Sequence, residues 1–245
     1  MKQYVFDGTF EGMLTGVFLI YEQKAWDAVL ENEHHIENMS LFEHIPVQTD
    51  QEKFDRVFQT LQKKLSPAFL QDVYYAYLSD LPGSADTALH YIQLGLRQGV
   101  RIRGALQHPV VHQIRLLRKK VGNEAHRLKG LLRFHSVQNK VFVADLEPDH
   151  NVITLLAPHF AARLKNENFI IRDLRRHIAV VYDKTQWYVV PLGDNITAAD
   201  SSGDEFAKLW QLYFQEIAVA GRENRKQQLA YMPRRYHKYL TELSE

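Results

Sequence analysis

The sequence predicts an α+β fold, in which an antiparallel sheet of about five strands is covered by helices. From about 50 to 130, apolar residues recur every three or four positions, which indicates helices. From 131 to 192, apolar and polar residues alternate, which indicates strands. After a polar loop, apolar residues recur at helical spacing again, so we expect helix over 204–242.

The first residues predict a short strand to Phe6 that leads into a helix. The residues Asp7-Gly8-Thr9 suit a turn followed by a helix cap. The strand is a candidate sixth member of the sheet, and helices are expected through the rest of 8–130. His34, His35 and His44 fall in this stretch and are interpreted as surface residues rather than metal ligands.

Two prolines mark expected helix starts in the middle of the chain. Pro67 suits the first turn of one helix, and Pro109 begins the longest helical pattern. In the strand region, a hairpin is expected about Gln138-Asn139. Three further strands follow, with a tight turn at Asp183-Lys184.

The length and composition are those of an ordinary globular protein. The 245 residues are interpreted as one α+β domain, 1–245, with 50–130 as a candidate helical subdomain. The chain has no cysteine, which excludes disulfides, thiolate nucleophiles and cysteine-held iron–sulfur clusters. No stretch approaches the roughly 18 apolar residues of a membrane span, so we expect a cytoplasmic protein with no membrane partner.

The net charge of +1 conceals a strong asymmetry along the chain. Residues 1–60 carry 11 acidic and 4 basic side chains, whereas residues 101–133 carry 9 basic side chains and one acid, Glu124. Basic side chains on one helix face are typical of a surface that contacts phosphates. A second basic stretch near 222–238 is interleaved with tyrosines, which can stack on unpaired bases.

The predicted nucleic-acid contacts come from these two stretches. A solvated surface helix or a site for an acidic protein would look similar, and the acidic N-terminal segment is a further candidate partner for the basic face. The candidate contact residues are Arg115, Arg118, Lys119, Arg127, Arg133, Arg234, Arg235 and Lys238.

The stretch LEPDHNVITLLAPHF holds the candidate catalytic residues Glu147, Asp149, His150 and His159. Carboxylates and imidazoles can act as acids, bases or metal ligands, but the spacing matches no standard ligand motif. The structural alternative is that Asp149 caps the helix that follows. Pro158 should kink that helix or begin a second one after Ala157.

Four phrases, YVFDGTFEGMLTGVF, EAHRLKGLLRF, LEPDHNVITLLAPHF and MPRRYHKYLTE, resemble a bacterial family known as probable DNA-metabolism proteins. The resemblance spans essentially the whole chain. It implies a gene neighbour that is a radical SAM DNA repair or modification protein, and a relationship to domains fused to uracil-DNA-glycosylase-like proteins. It assigns no catalytic residue.

Three functional hypotheses follow. The first is an accessory DNA-binding protein in repair or modification that acts with a radical SAM partner, on single- or double-stranded DNA. The second is an acid/base or metal-dependent enzyme acting on DNA or nucleotides through the four candidate catalytic residues. The third is a protein-interaction scaffold without nucleic-acid affinity.

No cofactor of this chain is expected, and a bound metal stays an open alternative. Phosphate-loop, dinucleotide, G-x-S-x-G and H-E-x-x-H motifs are absent, which favours the first or third hypothesis.

Overall fold

The computed structural model describes residues 2–36, 43–137, 141–192 and 233–240, with only the backbone of 234–235. The chain divides into two compact units, Met1–Gly122 (unit 1) and Asn123–Glu245 (unit 2). The single domain expected for 1–245 and the helical subdomain expected for 50–130 stay predictions.

Unit 1 begins with a small parallel sheet. Its strands are β1 (Lys2–Phe6), β2 (Val29–Asn32) and β3 (Glu43–Val47), in the order β2-β1-β3. The first connection runs through helix α1 (Phe10–Glu22), and such a crossover brings the next strand back in the same direction. The expectation that the N-terminal strand joins the main sheet is therefore wrong, because β1 is the central strand of a separate sheet.

The turn and cap expected before α1 are confirmed. Thr9 is the N-cap, and its hydroxyl accepts a hydrogen bond from the Gly12 N–H at 2.9 Å. The Asp7 carboxylate accepts bonds from the N–H and hydroxyl of Thr9 and from the hydroxyl of Thr49. These bonds give Asp7 a structural role at the end of β1.

The expectation of helix throughout 8–130 is wrong at β2 and β3. The residues of β2 include Glu31 and Asn32, both buried, and polar residues obscure the alternation that would indicate a strand. Glu31 accepts the Gly83 N–H at 2.8 Å, so burial of this acid depends on a partner 52 residues away. The histidines in this stretch lie on a 3₁₀ helix, Glu33–His35, and on β3.

Helices then follow as the spacing predicts. They are α2 (Gln51–Lys64), α3 (Pro67–Leu78), α4 (Ser84–Gln98) and α5 (Pro109–Leu131), with a 3₁₀ helix at Val100–Gly104. Both expected proline starts are confirmed, at α3 and α5. The boundary between the units falls within α5. The core of unit 1 includes Phe69 and Tyr91, whose rings stack with centroids 4.2 Å apart.

Unit 2 contains a five-stranded sheet in the order β4-β5-β6-β7-β8. The strands are β4 (His135–Val137), β5 (Val141–Leu146), β6 (Asn168–Asp173), β7 (Ile178–Tyr182) and β8 (Trp187–Pro191). The expected strand number is confirmed, but a fully antiparallel arrangement is wrong because β5 and β6 pair in parallel. Helix α6 (Ile153–Arg163) connects them, and a helical connection permits parallel pairing.

The other connections of this sheet agree with the sequence. The pairs β4·β5, β6·β7 and β7·β8 are antiparallel. At the expected turn, the Asp183 carboxylate accepts the N–H groups of Thr185 and Gln186, and Lys184 has a φ of 76°. The expected turn at 138–139 and most of the expected helix over 204–242 lie outside the described residues. Within the described part of that range, Arg234–Tyr239 form a 3₁₀ helix.

Candidate functional site

The loop between β5 and α6 holds three of the four candidate catalytic residues and is organised by Glu124. The Asp149 N–H donates to Glu124 Oε1 at 2.9 Å, and the His150 N–H donates to Oε2 at 2.8 Å. Glu124 is buried, so its charge depends on such donors for stabilisation. The one acid of the basic stretch 101–133 is thus a structural carboxylate in unit 2.

The Tyr236 hydroxyl also donates to Glu124 Oε1, by a short hydrogen bond. Tyr236 is buried in the 3₁₀ helix Arg234–Tyr239. Glu124 therefore joins this segment to the loop, and three of the four phrases that carry the family resemblance meet at one carboxylate. No pattern in the sequence indicated this contact, because the partners are 25 to 112 residues from Glu124.

The prediction that Asp149 caps α6 is wrong. The N-cap is Val152, which provides no side-chain cap, and α6 begins at Ile153. The loop N–H groups bond to Glu124 instead of to the Asp149 side chain. The helix continues through Pro158, so no second helix begins after Ala157.

The acids of the loop are paired with cations. Glu147 lies 2.8 Å from Lys238 Nζ, and the hydrogen bond from Lys238 lowers the pKa of Glu147. Asp149 has an exposed carboxylate 3.8 Å from Arg175. Burial and the Glu147 carboxylate raise the pKa of Tyr239.

Arg176, which follows β6, fixes the backbone of the same loop, and Arg172 within β6 pairs with an acid of β5. Arg176 donates to the carbonyl oxygens of Pro148 and Asp149 at 3.2 and 2.9 Å, and forms an ion pair with the buried Asp173 at 3.1 Å. Arg172 forms two hydrogen bonds with Asp145, at 2.5 and 2.7 Å. Sequence reasoning missed these pairs because parallel pairing of β5 and β6 sets Asp145 beside Arg172.

The histidines differ in their surroundings. His150 is buried, and its backbone N–H donates to Glu124. His159 lies half-buried on α6. Burial lowers the pKa of His159, and Lys129 and Arg163 lower it further. Among the described residues, no three histidines or acids are grouped closely enough to hold a metal ion. A catalytic role for Glu147, Asp149, His150 or His159 stays a prediction.

Lys129, His159 and Arg163 form what we call the cationic cluster. His159 and Arg163 are four residues apart on α6, and Lys129 on α5 is near enough to influence the imidazole. Within the described ranges, neither Lys129 nor Arg163 forms an ion pair. Sequence reasoning did not select these two cations; Arg163 follows His159 by one helical turn, whereas the proximity of Lys129 depends on tertiary structure.

The three candidate nucleic-acid contacts in unit 1 have different surroundings. Lys119 is exposed, and Arg115 is exposed with a 3.4 Å hydrogen bond to the Arg103 carbonyl oxygen. Arg118 instead bonds to the buried Asp72 at 2.5 Å and lies over the Tyr75 ring at 4.9 Å. Arg118 therefore forms an ion pair with Asp72 inside unit 1.

The remaining candidate contacts are in unit 2. Arg127 is exposed, and Arg133 donates to the Gly130 carbonyl oxygen at 2.8 Å, near the end of α5. Lys238 is paired with Glu147, as described above. The side chains of Arg234 and Arg235 lie outside the described part of the structure.

One family model, described as a domain of unknown function, DUF4130, matches residues 82–242. The chain belongs to the DUF4130 family. The DUF4130 match includes Glu124, the loop it organises, Tyr236 and the cationic cluster. No curated protein matches the chain. Within the described residues of this DUF4130 protein, no helix has both the length and the apolar character needed to cross a bilayer.

Proposed function

We propose that this DUF4130 protein binds nucleic acid, and that the cationic cluster contacts the phosphate backbone. The observation that carries the proposal is that Lys129 and Arg163 both lie near enough to His159 to lower its pKa, and that neither cation has an acidic partner among the described residues. Like charges held together repel each other, and a polyanion relieves that repulsion while it releases its own counterions.

The contrast with neighbouring cations supports this assignment. In unit 2, Arg172, Arg176 and Lys238 pair with Asp145, Asp173 and Glu147, so their charges are largely neutralised within the chain. The cationic cluster keeps its charge for an external partner. A phosphate fits such a site because lysine and arginine both donate to its oxygens.

The finer part of the proposal rests on the family resemblance. We assign the protein an accessory role in DNA repair or modification, with a radical SAM protein as its partner. Such a partner supplies the iron–sulfur cysteines that this chain lacks. The strandedness of the DNA follows from the titration described next.

The test is a titration of the full chain against labelled single- and double-stranded DNA of one sequence at several salt concentrations. We expect binding whose logarithm falls linearly with the logarithm of salt concentration. The double variant Lys129→Gln/Arg163→Gln should lower the duplex slope by about 0.9 for each lost phosphate contact.

The matched control is Lys63→Gln/Lys64→Gln, which makes the same charge change on exposed positions of α2 in unit 1. Its slope should equal that of the unsubstituted chain. If both double variants change the slope equally, net charge rather than the cationic cluster governs binding. If the unsubstituted chain binds neither DNA at low salt, the nucleic-acid proposal is wrong and the scaffold hypothesis gains support.

A further inference from the structure

Unit 1 contains an apolar cavity of about 180 Å³ between α1, α2 and α4. It is distant in sequence from the loop organised by Glu124, and most of its lining precedes the residues matched by the family model. Its walls include Val17, Phe18, Val57, Leu61, Ile92 and Leu96. A cavity of about 150 Å³ lined by such residues can hold a benzene molecule, so this cavity suits a substituted ring.

Two arginines add positive charge to this apolar site. Arg56 lines the cavity, and its guanidinium lies 4.9 Å from the centroid of the Phe18 ring. Arg97 is close enough to Tyr21, another lining residue, to oppose the rise in the Tyr21 pKa that burial causes. Neither arginine has an acidic partner in the part of the chain that the structure describes.

The neighbouring lysine is different. Lys53 Nζ lies 5.8 Å from the Phe18 ring, but it also forms an ion pair with Asp50 at 3.8 Å. The uncompensated charge in the cavity wall therefore belongs to Arg56, and Arg97 lies near enough to affect the lining residue Tyr21. An apolar cavity with unpaired guanidinium groups complements a ligand that has an apolar body and an anionic group.

We propose that this cavity binds a small aromatic carboxylate. The ring would occupy the apolar space beside Phe18 and Tyr21, where aromatic contacts are available. The carboxylate would accept hydrogen bonds from Arg56, with Arg97 adding electrostatic attraction. This site is independent of nucleic-acid binding by the cationic cluster.

The experiment is a fluorine NMR titration of the full chain with para-fluorobenzoate and with its neutral analogue, para-fluorobenzamide. The two probes have nearly the same shape, so their difference reports the anionic group. We expect saturable broadening with benzoate and an affinity at least about tenfold higher than for the amide, because a charge-assisted bond is lost in the amide.

Variants locate the site. Arg56→Gln should lower benzoate affinity to that of the amide, whereas Arg101→Gln, an exposed arginine on the 3₁₀ helix Val100–Gly104, should leave it unchanged. Leu96→Trp should fill the cavity and abolish binding of both probes. Circular dichroism checks its folding, and Val57→Phe is the alternative filled variant if Leu96→Trp does not fold.

Three results would overturn the proposal. They are equal affinity for the two probes, undiminished binding in a folded cavity-filled variant, and equal losses in Arg56→Gln and Arg101→Gln. The first contradicts the anionic group, the second the cavity, and the third the specific role of Arg56.

Discussion

The carboxylate of Glu124 accepts a hydrogen bond from the hydroxyl of Tyr236, which is 112 residues away in the sequence. The same carboxylate holds the N–H groups of Asp149 and His150. A single buried acid thus joins a helix, a loop and a 3₁₀ helix of unit 2. Such a contact fixes the loop without a helix cap.

Removal of the Tyr236 hydroxyl should destabilise unit 2. Tyr236→Phe keeps the ring and deletes one donor to a buried charge, which we expect to cost about 1 to 3 kcal/mol in free energy of unfolding. Denaturant titration measures the loss, and hydrogen exchange at the N–H groups of Asp149 and His150 should become faster. Tyr188→Phe on the exposed strand β8 is the control and should have no effect. An unchanged exchange rate in Tyr236→Phe contradicts the role of the contact.

Neutralisation of Asp149 should have little effect on stability. Asp149→Asn changes an exposed carboxylate whose ion pair with Arg175 spans 3.8 Å, and exposed pairs contribute less than about 1 kcal/mol. Asparagine can also cap a helix, so Asp149→Asn does not test the cap interpretation. Asp149→Ala does, because loss of a helix cap lowers the free energy of unfolding by about 1 kcal/mol. Thermal unfolding of both variants should match the unsubstituted protein. A clear loss in Asp149→Ala alone would restore the cap interpretation.

Arg118 should contribute to stability more than to nucleic-acid binding. Arg118→Gln removes one partner of the buried Asp72, which keeps its bond to Arg103, so we expect a loss of about 1 kcal/mol in the free energy of unfolding. Lys119→Gln, an exposed neighbour, should leave stability unchanged. Urea titration of the two variants provides the comparison, and equal stabilities would show that the Asp72 pair contributes nothing measurable.

His159 should couple protonation to stability. Burial, Lys129 and Arg163 hold its pKa in the folded chain below the ordinary value of about 6.5. Below pH 6.5, the unfolded chain binds this proton more readily, so the free energy of unfolding falls as the pH falls. Well above pH 6.5, the imidazole is neutral in both states and the effect vanishes. His159→Asn should flatten this part of the stability profile, and an identical slope in both proteins would contradict the assignment.

The same histidine should affect DNA binding in the opposite direction. A nearby phosphate favours the protonated imidazole, so binding should take up a proton and tighten as the pH falls toward the lowered pKa of His159. DNA titrations at several pH values test this, and His159→Asn should remove part of the dependence. His126→Asn is the control, because His126 is exposed on α5 and outside the cationic cluster.

The sequence predicted the strands β6 to β8 because they are rich in β-branched and aromatic residues and Asp183-Lys184 marks the turn. It also predicted the starts of α3 and α5, where proline suits the first turn. In contrast, strand direction between β5 and β6 depends on how α6 returns the chain, which spacing alone does not specify. The polar residues Glu31 and Asn32 similarly concealed β2.

The candidate site was predicted only in part. The sequence identified the loop after β5 and the basic character of α5, since both are local patterns. It gave no indication that Glu124 bonds to Tyr236 or that Lys129 lies near His159, because both depend on tertiary packing. The proposed function therefore relies on residues whose importance emerges from the fold.

The separation of Glu124 and Tyr236 also affects how the protein is made. At about 5 to 20 residues per second, a ribosome adds residue 236 on the order of ten seconds after residue 124. During that time, the nascent chain contains the acid and the loop but lacks the tyrosine that donates to the acid. The hydrogen bond from Tyr236 to Glu124 thus forms only after residue 236 has been added, and a ribosome that stalls before that residue leaves the carboxylate without this donor.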